Sequence, residues 1–132
     1  MGLRNARLNF RQLEETHAME NVIFNELKLR GFNVDVGVIE INSTNEKGNR
    51  VRKQLEIDFV CNKGSRRYYI QSAYAMPDQV KMEQEQRSLM LTGDAFKKII
   101  ITKDSPGPYY NEDGVLVMNI FDFLLDENML NY

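Results

Sequence analysis

The stretch EIDFVCNKGSRRYYIQSAYA, residues 56–75, decides the fold. Two runs of alternating apolar and polar residues flank a short polar segment, and this pattern predicts a β-hairpin. Gly64 and Ser65 fit a two-residue type II′ turn, which pairs Lys63 with Arg66.

This register places Asp58 directly opposite Gln71. A slip of one residue would move the two side chains to opposite faces of the sheet, whereas a slip of two would not. Alternation predicts two faces for the first strand: one with Leu55, Ile57, Phe59 and Cys61, and the other with Glu56, Asp58 and Val60.

A helix is predicted before the hairpin, from Thr16 to Arg30. Thr16 is a plausible N-cap, and Gly31 is suited to the first position after the helix. The predicted buried face repeats every four residues, with Phe24 beside it, and consists of Met19, Ile23 and Leu27.

The rest of the chain predicts an α/β domain with the order α-β-β-β-α-β-β-α, a mixed sheet flanked by helices. Asn119 is expected to cap the last helix, with Asp122 at its third position. The remaining segments are a strand at 32–42, a loop at 43–50, a helix from Pro77 to about Leu91, a strand at 97–102, a loop at 104–114, a strand at 115–118 and a helix at 119–125.

Composition is that of a soluble globular domain of 132 residues. The single cysteine excludes an internal disulfide and is typical of a reducing compartment, so a cytoplasmic location is expected. Neither a membrane span nor a signal peptide is evident. The net charge of −2 argues against a strongly basic nucleic-acid binder, although residues 1–67 carry 12 Lys/Arg against 9 Asp/Glu.

Three polar side chains stand where a simple core would place apolar ones. Glu20 lies on the apolar face of the first helix, and Asp58 and Gln71 each lie in the middle of a strand. Such residues need partners, a metal or solvent. The alternative is structural: Glu20 bonds a nearby arginine, and Asp58 faces water.

Three stretches resemble the domain that follows the ATPase core in many bacterial and archaeal AAA-type ATPases. They are GLRNARLNFRQ at 2–12, HAMENVIFNELKLRGFNV at 17–34, and EIDFV at 56–60 followed by YYIQSAYA at 68–75. That domain is similar to the PD-(D/E)XK nuclease superfamily, a restriction-endonuclease-like fold. The resemblance implies a linker at residues 1–15, a nuclease-like domain at 16–132 and an N-terminal ATPase part in the parent chain.

The superfamily pattern is a helical Glu, a strand Asp and a Glu-x-Lys on the next strand. By position, Glu20 and Asp58 match the two acids, which would hold Mg²⁺ against a phosphate. Gln71-Ser72-Ala73 replaces Glu-x-Lys, so both halves of the third motif are lost. The resemblance therefore implies a catalytically degenerate site that binds metal weakly.

Alternatives remain open from the sequence. Lys81, on the helix after the hairpin, is the nearest candidate for a migrated lysine, which would make the chain an active Mg²⁺-dependent nuclease. Arg87 is less suitable because it stays protonated. A structural or oligomerisation domain is a third possibility. The lone His17 is expected at the surface, and the absence of a His/Cys cluster excludes a zinc site.

Two basic groups flank the Asp58 strand. In a nuclease-like domain they would contact the phosphates of DNA or RNA, whereas the alternative is a solvated surface or a protein-binding surface. The first group is Lys47, Arg50, Arg52 and Lys53, and the second is Lys63, Arg66 and Arg67.

Overall fold

A computed structural model describes residues 2–76 and 78–132, and the side chains of 13–76 and 78–132. The helices are α1 Gly2–Leu29, α2 Gln79–Met90 and α3 Ile120–Leu125, followed by a 3₁₀ turn at Met129–Asn131. The strands are β1 Asn33–Thr44, β2 Arg50–Lys63, β3 Arg66–Ala73, β4 Lys97–Thr102, β5 Tyr109–Tyr110 and β6 Leu116–Asn119.

Within these ranges the strands form one six-stranded sheet in the order β1-β2-β3-β4-β6-β5. The first three strands are antiparallel, β3, β4 and β6 are parallel, and β5 is antiparallel to β6. The predicted mixed sheet flanked by helices is confirmed. The element order differs from the predicted one by β5, which lies inside the predicted 104–114 loop, because a two-residue strand is too short to leave an alternating pattern.

Two apolar clusters cover the two faces of the sheet. The first lies under α1 and α3 and includes Ile23, Leu27, Phe59, Cys61, Ile70, Ile99, Ile101 and Phe123. The second lies under α2 and includes Ile57, Tyr69, Leu89, Ile100, Val115 and Val117. The central strands are therefore buried on both faces, as parallel strands usually are.

Helix α1 buries the predicted face, and Met19, Ile23 and Leu27 are all buried. It ends at Leu29, and Gly31 follows as the predicted stop with a φ of 88°, which suits glycine. The Phe32 N–H donates to the Leu27 carbonyl. The predicted start at Thr16 is wrong, because the helix begins at Gly2. Residues 3–15 contain neither proline nor glycine, so nothing interrupts the helix before the candidate cap. The predicted linker at 1–15 is thus helical from Gly2 onward, and the domain boundary itself stays a prediction.

Side-chain caps fix the starts of the other two helices. Asp78 caps α2 by accepting a hydrogen bond from the Lys81 N–H, whereas Pro77 lies outside the described residues. The capping box of Asn119 and Asp122 on α3 is confirmed. Among the described residues, no helix is long and apolar enough to cross a membrane.

Candidate nuclease-like site

The β2–β3 hairpin has the register that the sequence predicts. Lys63 pairs with Arg66, and the ladder continues to Phe59 opposite Ile70. The turn residue Gly64 has a φ of 61°, as the first central position of a type II′ turn requires. Asp58 and Gln71 occupy the next position, just beyond the last paired residues.

A β-bulge in β2 lies next to this position. Asp35 of β1 pairs with Val60, but Gly37 pairs with Ile57, so two steps on β1 oppose three on β2. A Cβ atom on Gly37 would lie 2.8 Å from Cγ2 of Val60 and 3.2 Å from Cβ of Ile57. Glycine at 37 is therefore what lets the two strands meet across the bulge.

The bulge corrects the predicted faces of β2. Ile57 packs in the cluster under α2, with Val60 against it, whereas Phe59 and Cys61 pack in the cluster under α1. The extra residue reverses the alternation between Ile57 and Phe59. The expectation that Ile57, Phe59 and Cys61 share one face is therefore wrong.

Two side chains bridge the strands where the ladder ends. The backbone N–H of Asp58 donates to Oε1 of Gln71 at 3.0 Å, and the backbone N–H of Ser72 donates to Oδ2 of Asp58 at 2.8 Å. Each bond satisfies a strand N–H that backbone pairing leaves without a partner. Asp58 and Gln71 thus act first as a reciprocal cross-link between β2 and β3.

The surroundings of Asp58 disfavour the charged form of its carboxyl group. Burial raises its pKa to about 6, although the hydrogen bond from the Ser72 N–H opposes that rise. The charges of Glu20, Glu85 and Glu56 raise the pKa further. The site therefore gathers negative charge around a partly desolvated carboxylate.

Glu20 is half-buried on α1 and is close enough for its charge to act on Asp58. The fold thus brings together the predicted Glu20, Asp58 and Gln71. Within the described residues, however, no group of three His, Cys, Asp or Glu side chains is arranged to hold a metal ion. Oε1 of Gln71 and one oxygen of Asp58 already accept hydrogen bonds from the backbone. The residues as they stand do not fit Mg²⁺.

Ala73, at the lysine position of the superfamily pattern, is only 3% exposed. It lies at a groove of about 290 Å³ between α1, the end of β3 and α2, lined by Leu13, Thr16, Ser72, Ala73, Tyr74, Ala75, Lys81 and Glu85. The candidate Lys81 therefore lies in the same groove as Ala73. Its ammonium group pairs with Glu85 at 2.8 Å.

Glu85 is the residue that sequence reasoning missed. Its charge acts on Asp58, and its partner is Lys81 one helical turn earlier. The (i, i+4) spacing of an acid and a lysine was visible in the sequence. Arg87 does not line this groove and instead lines a second groove with Gln71, Leu55 and Ser88.

The two basic groups lie at different places along β2. The first group is exposed in a two-stranded segment formed by the outer parts of β1 and β2, which we call the ribbon arm, residues 38–56. The second group surrounds the β2–β3 turn, and there Lys63 is engaged, since its ammonium group donates to the Arg30 carbonyl at 2.7 Å. Arg67 donates to Asn62 and lies over the Phe96 ring.

The remaining candidates take no part in this site. His17 is exposed on α1, as expected. The Cys61 thiol is fully buried, and burial raises its pKa to about 12, so it is not a reactive nucleophile.

Comparison with known proteins gives one informative relative. An uncharacterized protein of Haemophilus influenzae is 32% identical over 127 residues, an alignment that covers 94% of this chain and 27% of the relative. No family model and no solved structure matches the chain. The chain therefore spans about a quarter of the length of the curated relative that it matches.

Proposed function

We propose that this chain is a PD-(D/E)XK nuclease-like domain of a longer protein, and that it binds nucleic acid without cutting it. The observation that carries the proposal is the reciprocal cross-link between Asp58 and Gln71. It stands at the strand position where the superfamily pattern places its acids, with Glu20 facing it from the helix. A site that served stability alone would have no need of an acid whose burial and neighbours both oppose its charge.

The lack of cleavage follows from the same geometry. Gln71 offers no charge, and its carbonyl oxygen is held by the Asp58 N–H. Ala73 cannot orient a water or offset charge in a transition state, and loss of one such group costs about 10²–10³ in rate. Since the residues do not fit a dication, metal-assisted hydrolysis has no support in the site.

Nucleic acid is the proposed ligand because the exposed basic residues flank the strand that bears Asp58. In the described residues Arg50, Arg52 and Arg66 are exposed and form no ion pair with an acid. The acidic second half of the chain would repel phosphate elsewhere. About four to six phosphates could be neutralised, which implies a log–log salt slope of roughly −4 to −5 on duplex DNA.

The parent protein is proposed to be an AAA-type ATPase in which this domain follows the ATPase part. The assignment to an ATPase rests on the resemblance alone; the Haemophilus influenzae relative, of which the alignment covers 27%, adds only that a similar sequence occurs within a longer chain. The ATPase part would be the domain's first partner, as the resemblance of residues 2–12 and 17–34 implies. Coexpression of the full-length parent and a nucleotide-hydrolysis assay test this assignment.

A second candidate is an active Mg²⁺-dependent nuclease. It is favoured by Lys81 and Glu85, which line the groove beside Ser72 and Ala73 and supply the two chemical groups that the third motif lacks. The groups are held to each other in the structure, so this function requires their ion pair to open.

A cleavage assay separates the two candidates. Purified protein is incubated with single- and double-stranded DNA and RNA in Mg²⁺, in Mn²⁺ and in EDTA. The proposal expects no metal-dependent products. Cleavage that is abolished by both Asp58→Ala and Lys81→Ala would establish the second candidate, and cleavage unaffected by either substitution indicates a contaminating nuclease.

Binding is tested by titration at low salt. The variant with Arg50, Arg52, Arg66 and Arg67 all changed to Glu should lose most of the affinity while remaining folded, because these residues lie in or beside turns and strand ends. Equal affinities of wild type and variant would contradict nucleic-acid binding and point to a protein ligand.

A further inference from the structure

The ribbon arm projects from the sheet as two strands without a third. β1 and β2 stay paired from Gly37–Ile57 out to Thr44–Arg50, whereas β3 pairs with β2 only from Phe59 to Lys63. Seven residues per strand at about 3.4 Å each make an arm of roughly 24 Å. Its width, two strands about 4.8 Å apart plus side chains, suits the major groove of B-form DNA, which is about 12 Å wide.

The tip of the arm is a closed turn. Oδ1 of Asn45 accepts hydrogen bonds from the backbone N–H groups of Lys47 and Asn49 at 3.0 and 2.9 Å. The Asn45 N–H donates to the Asn49 carbonyl, and Gly48 has a φ of 78°. Because the tip is ordered by its own bonds, little conformational entropy would be lost when it binds.

The two faces of the arm differ chemically. One face carries the half-buried apolar residues Ile39, Ile41, Val51 and Leu55, and Ile39 packs against the cluster under α2. The exposed Lys53 lies on the same face, opposite Ile41. The opposite face is exposed and is polar apart from Val38, which lies at the end nearest the sheet. Near the tip it presents Asn42 opposite Arg52 and Thr44 opposite Arg50, with Gln54 next along β2.

The polar face has the composition of a groove-binding surface. Arg, Asn and Gln are the side chains that form paired hydrogen bonds with guanine and adenine edges in the major groove. From Thr44 to Lys53 the chain carries four basic residues and one acid, Glu46. The acids Glu40 and Glu56 lie nearer the sheet, so the positive charge is concentrated at the outer half.

We propose that the ribbon arm enters the major groove of double-stranded DNA, with Asn42, Arg52 and Gln54 toward base edges and Lys47 and Arg50 toward phosphates. This inference rests on the proposed function and specifies its substrate as a duplex. A-form RNA has a major groove too deep and narrow for side chains to read, so duplex RNA should bind less well.

Fluorescence anisotropy with 25-base-pair DNA, the matching single strand and the matching RNA duplex tests the arm. The variant Arg50→Ala/Arg52→Ala has a matched control in Arg66→Ala/Arg67→Ala, which removes the same charge from the β2–β3 turn. The arm pair should weaken duplex-DNA binding by about 10- to 100-fold and reduce the salt slope by about 2. The turn pair should cause a clearly smaller loss.

A base-contact variant, Asn42→Ala/Gln54→Ala, leaves charge and salt slope unchanged. It should reduce the preference among duplex sequences selected for tight binding. Circular dichroism and gel filtration of each variant confirm folding and oligomeric state. A shortened arm, with residues 41–53 replaced by Asn-Gly, keeps the sheet and should bind duplex DNA no better than it binds single strands.

The outcomes separate this inference from the proposed function. Equal losses for the arm and turn pairs, or equal affinity for duplex and single strand, would overturn groove entry while leaving nucleic-acid binding in place. No binding of any nucleic acid at 50 mM salt overturns both. Dimerisation that disappears in the shortened arm would instead make the arm a surface for a second copy of the chain.

Discussion

The inner and outer halves of the β1–β2 hairpin share two continuous strands but are held in different ways. In the inner half the β2 strand, next to β3, packs in the apolar clusters on both faces, and Ile57, Phe59 and Cys61 are buried. The outer half, the ribbon arm, has only its own strand pairing and one half-buried apolar face. The bulge opposite Gly37 marks the boundary between them. The comparison teaches that strand pairing extends a hairpin, but tertiary burial is what stabilises it.

The largest expected effect on stability comes from two matched truncations, one in each half of the hairpin. Ile57→Ala, at a side chain 1% exposed, should lower the free energy of unfolding by about 2–5 kcal/mol because it leaves a cavity under α2. Ile41→Ala, on the arm, should cost less than about 1 kcal/mol. Urea denaturation of both variants measures the two values, and equal costs would mean that the arm is as well packed as the sheet.

The bulge itself is tested by Gly37→Ala. The new Cβ would come within 2.8 Å of Val60, so the strands must shift, at a cost of about 1–3 kcal/mol. Gly107→Ala is the control, because nothing lies within 4 Å of a Cβ there and no unusual backbone angle is required. If the two substitutions have the same effect on the urea midpoint, the close approach at the bulge is not a constraint.

Asp58→Asn is expected to increase the free energy of unfolding at neutral pH, by less than the losses predicted above. The folded pKa of Asp58, about 6, lies above its ordinary value of 3.8, so the folded state binds the proton more tightly than the unfolded chain. The stabilisation that Asp58 contributes is fully present below pH 3.8 and is lost as the pH rises through 6. Asparagine carries no charge and can still accept from the Ser72 N–H.

Thermal unfolding should therefore show Asp58→Asn to be more stable than wild type at pH 7.5 and not at pH 3.5. Glu46→Gln, which removes an exposed charge that is not among those raising the pKa of Asp58, controls for net charge. A gain that is the same at both pH values would show that burial of the Asp58 charge is not its cause.

The smallest expected difference is dynamic. Amide hydrogens in the arm strands should exchange at least about tenfold faster than those of β3 and β4, because few tertiary contacts protect them. Hydrogen exchange followed by mass spectrometry of peptides from 38–56 and 66–73 measures both. Slower amide exchange in the arm after addition of duplex DNA would support the groove-binding proposal.

The sequence predicted those features that depend on residues close together in the chain, such as turns and helix caps. Gly64-Ser65 and the alternation set the hairpin register, and Asn119 with Asp122 set the start of α3. The same signals brought Asp58 and Gln71 together, and Glu20 lies near enough for its charge to act on Asp58.

What the sequence did not predict depends on contacts between distant segments. The bulge arises where β1 meets β2, and its only sequence trace is a glycine at 37 among β-branched residues. Thr16 could cap a helix but does not, because favourable helical sequence continues before it. Glu85 acts on Asp58 only because α2 crosses the sheet at that point.

Labelling of the buried Cys61 thiol can be used to measure how often the inner half of the hairpin opens. The side chain is fully enclosed between Val34 of β1 and Tyr68 of β3, and the chain has a single cysteine. A thiol reagent can reach it only after the inner half of the hairpin separates from its neighbours. Labelling kinetics in native buffer therefore yield the opening free energy of that half alone, at one atom and without denaturant.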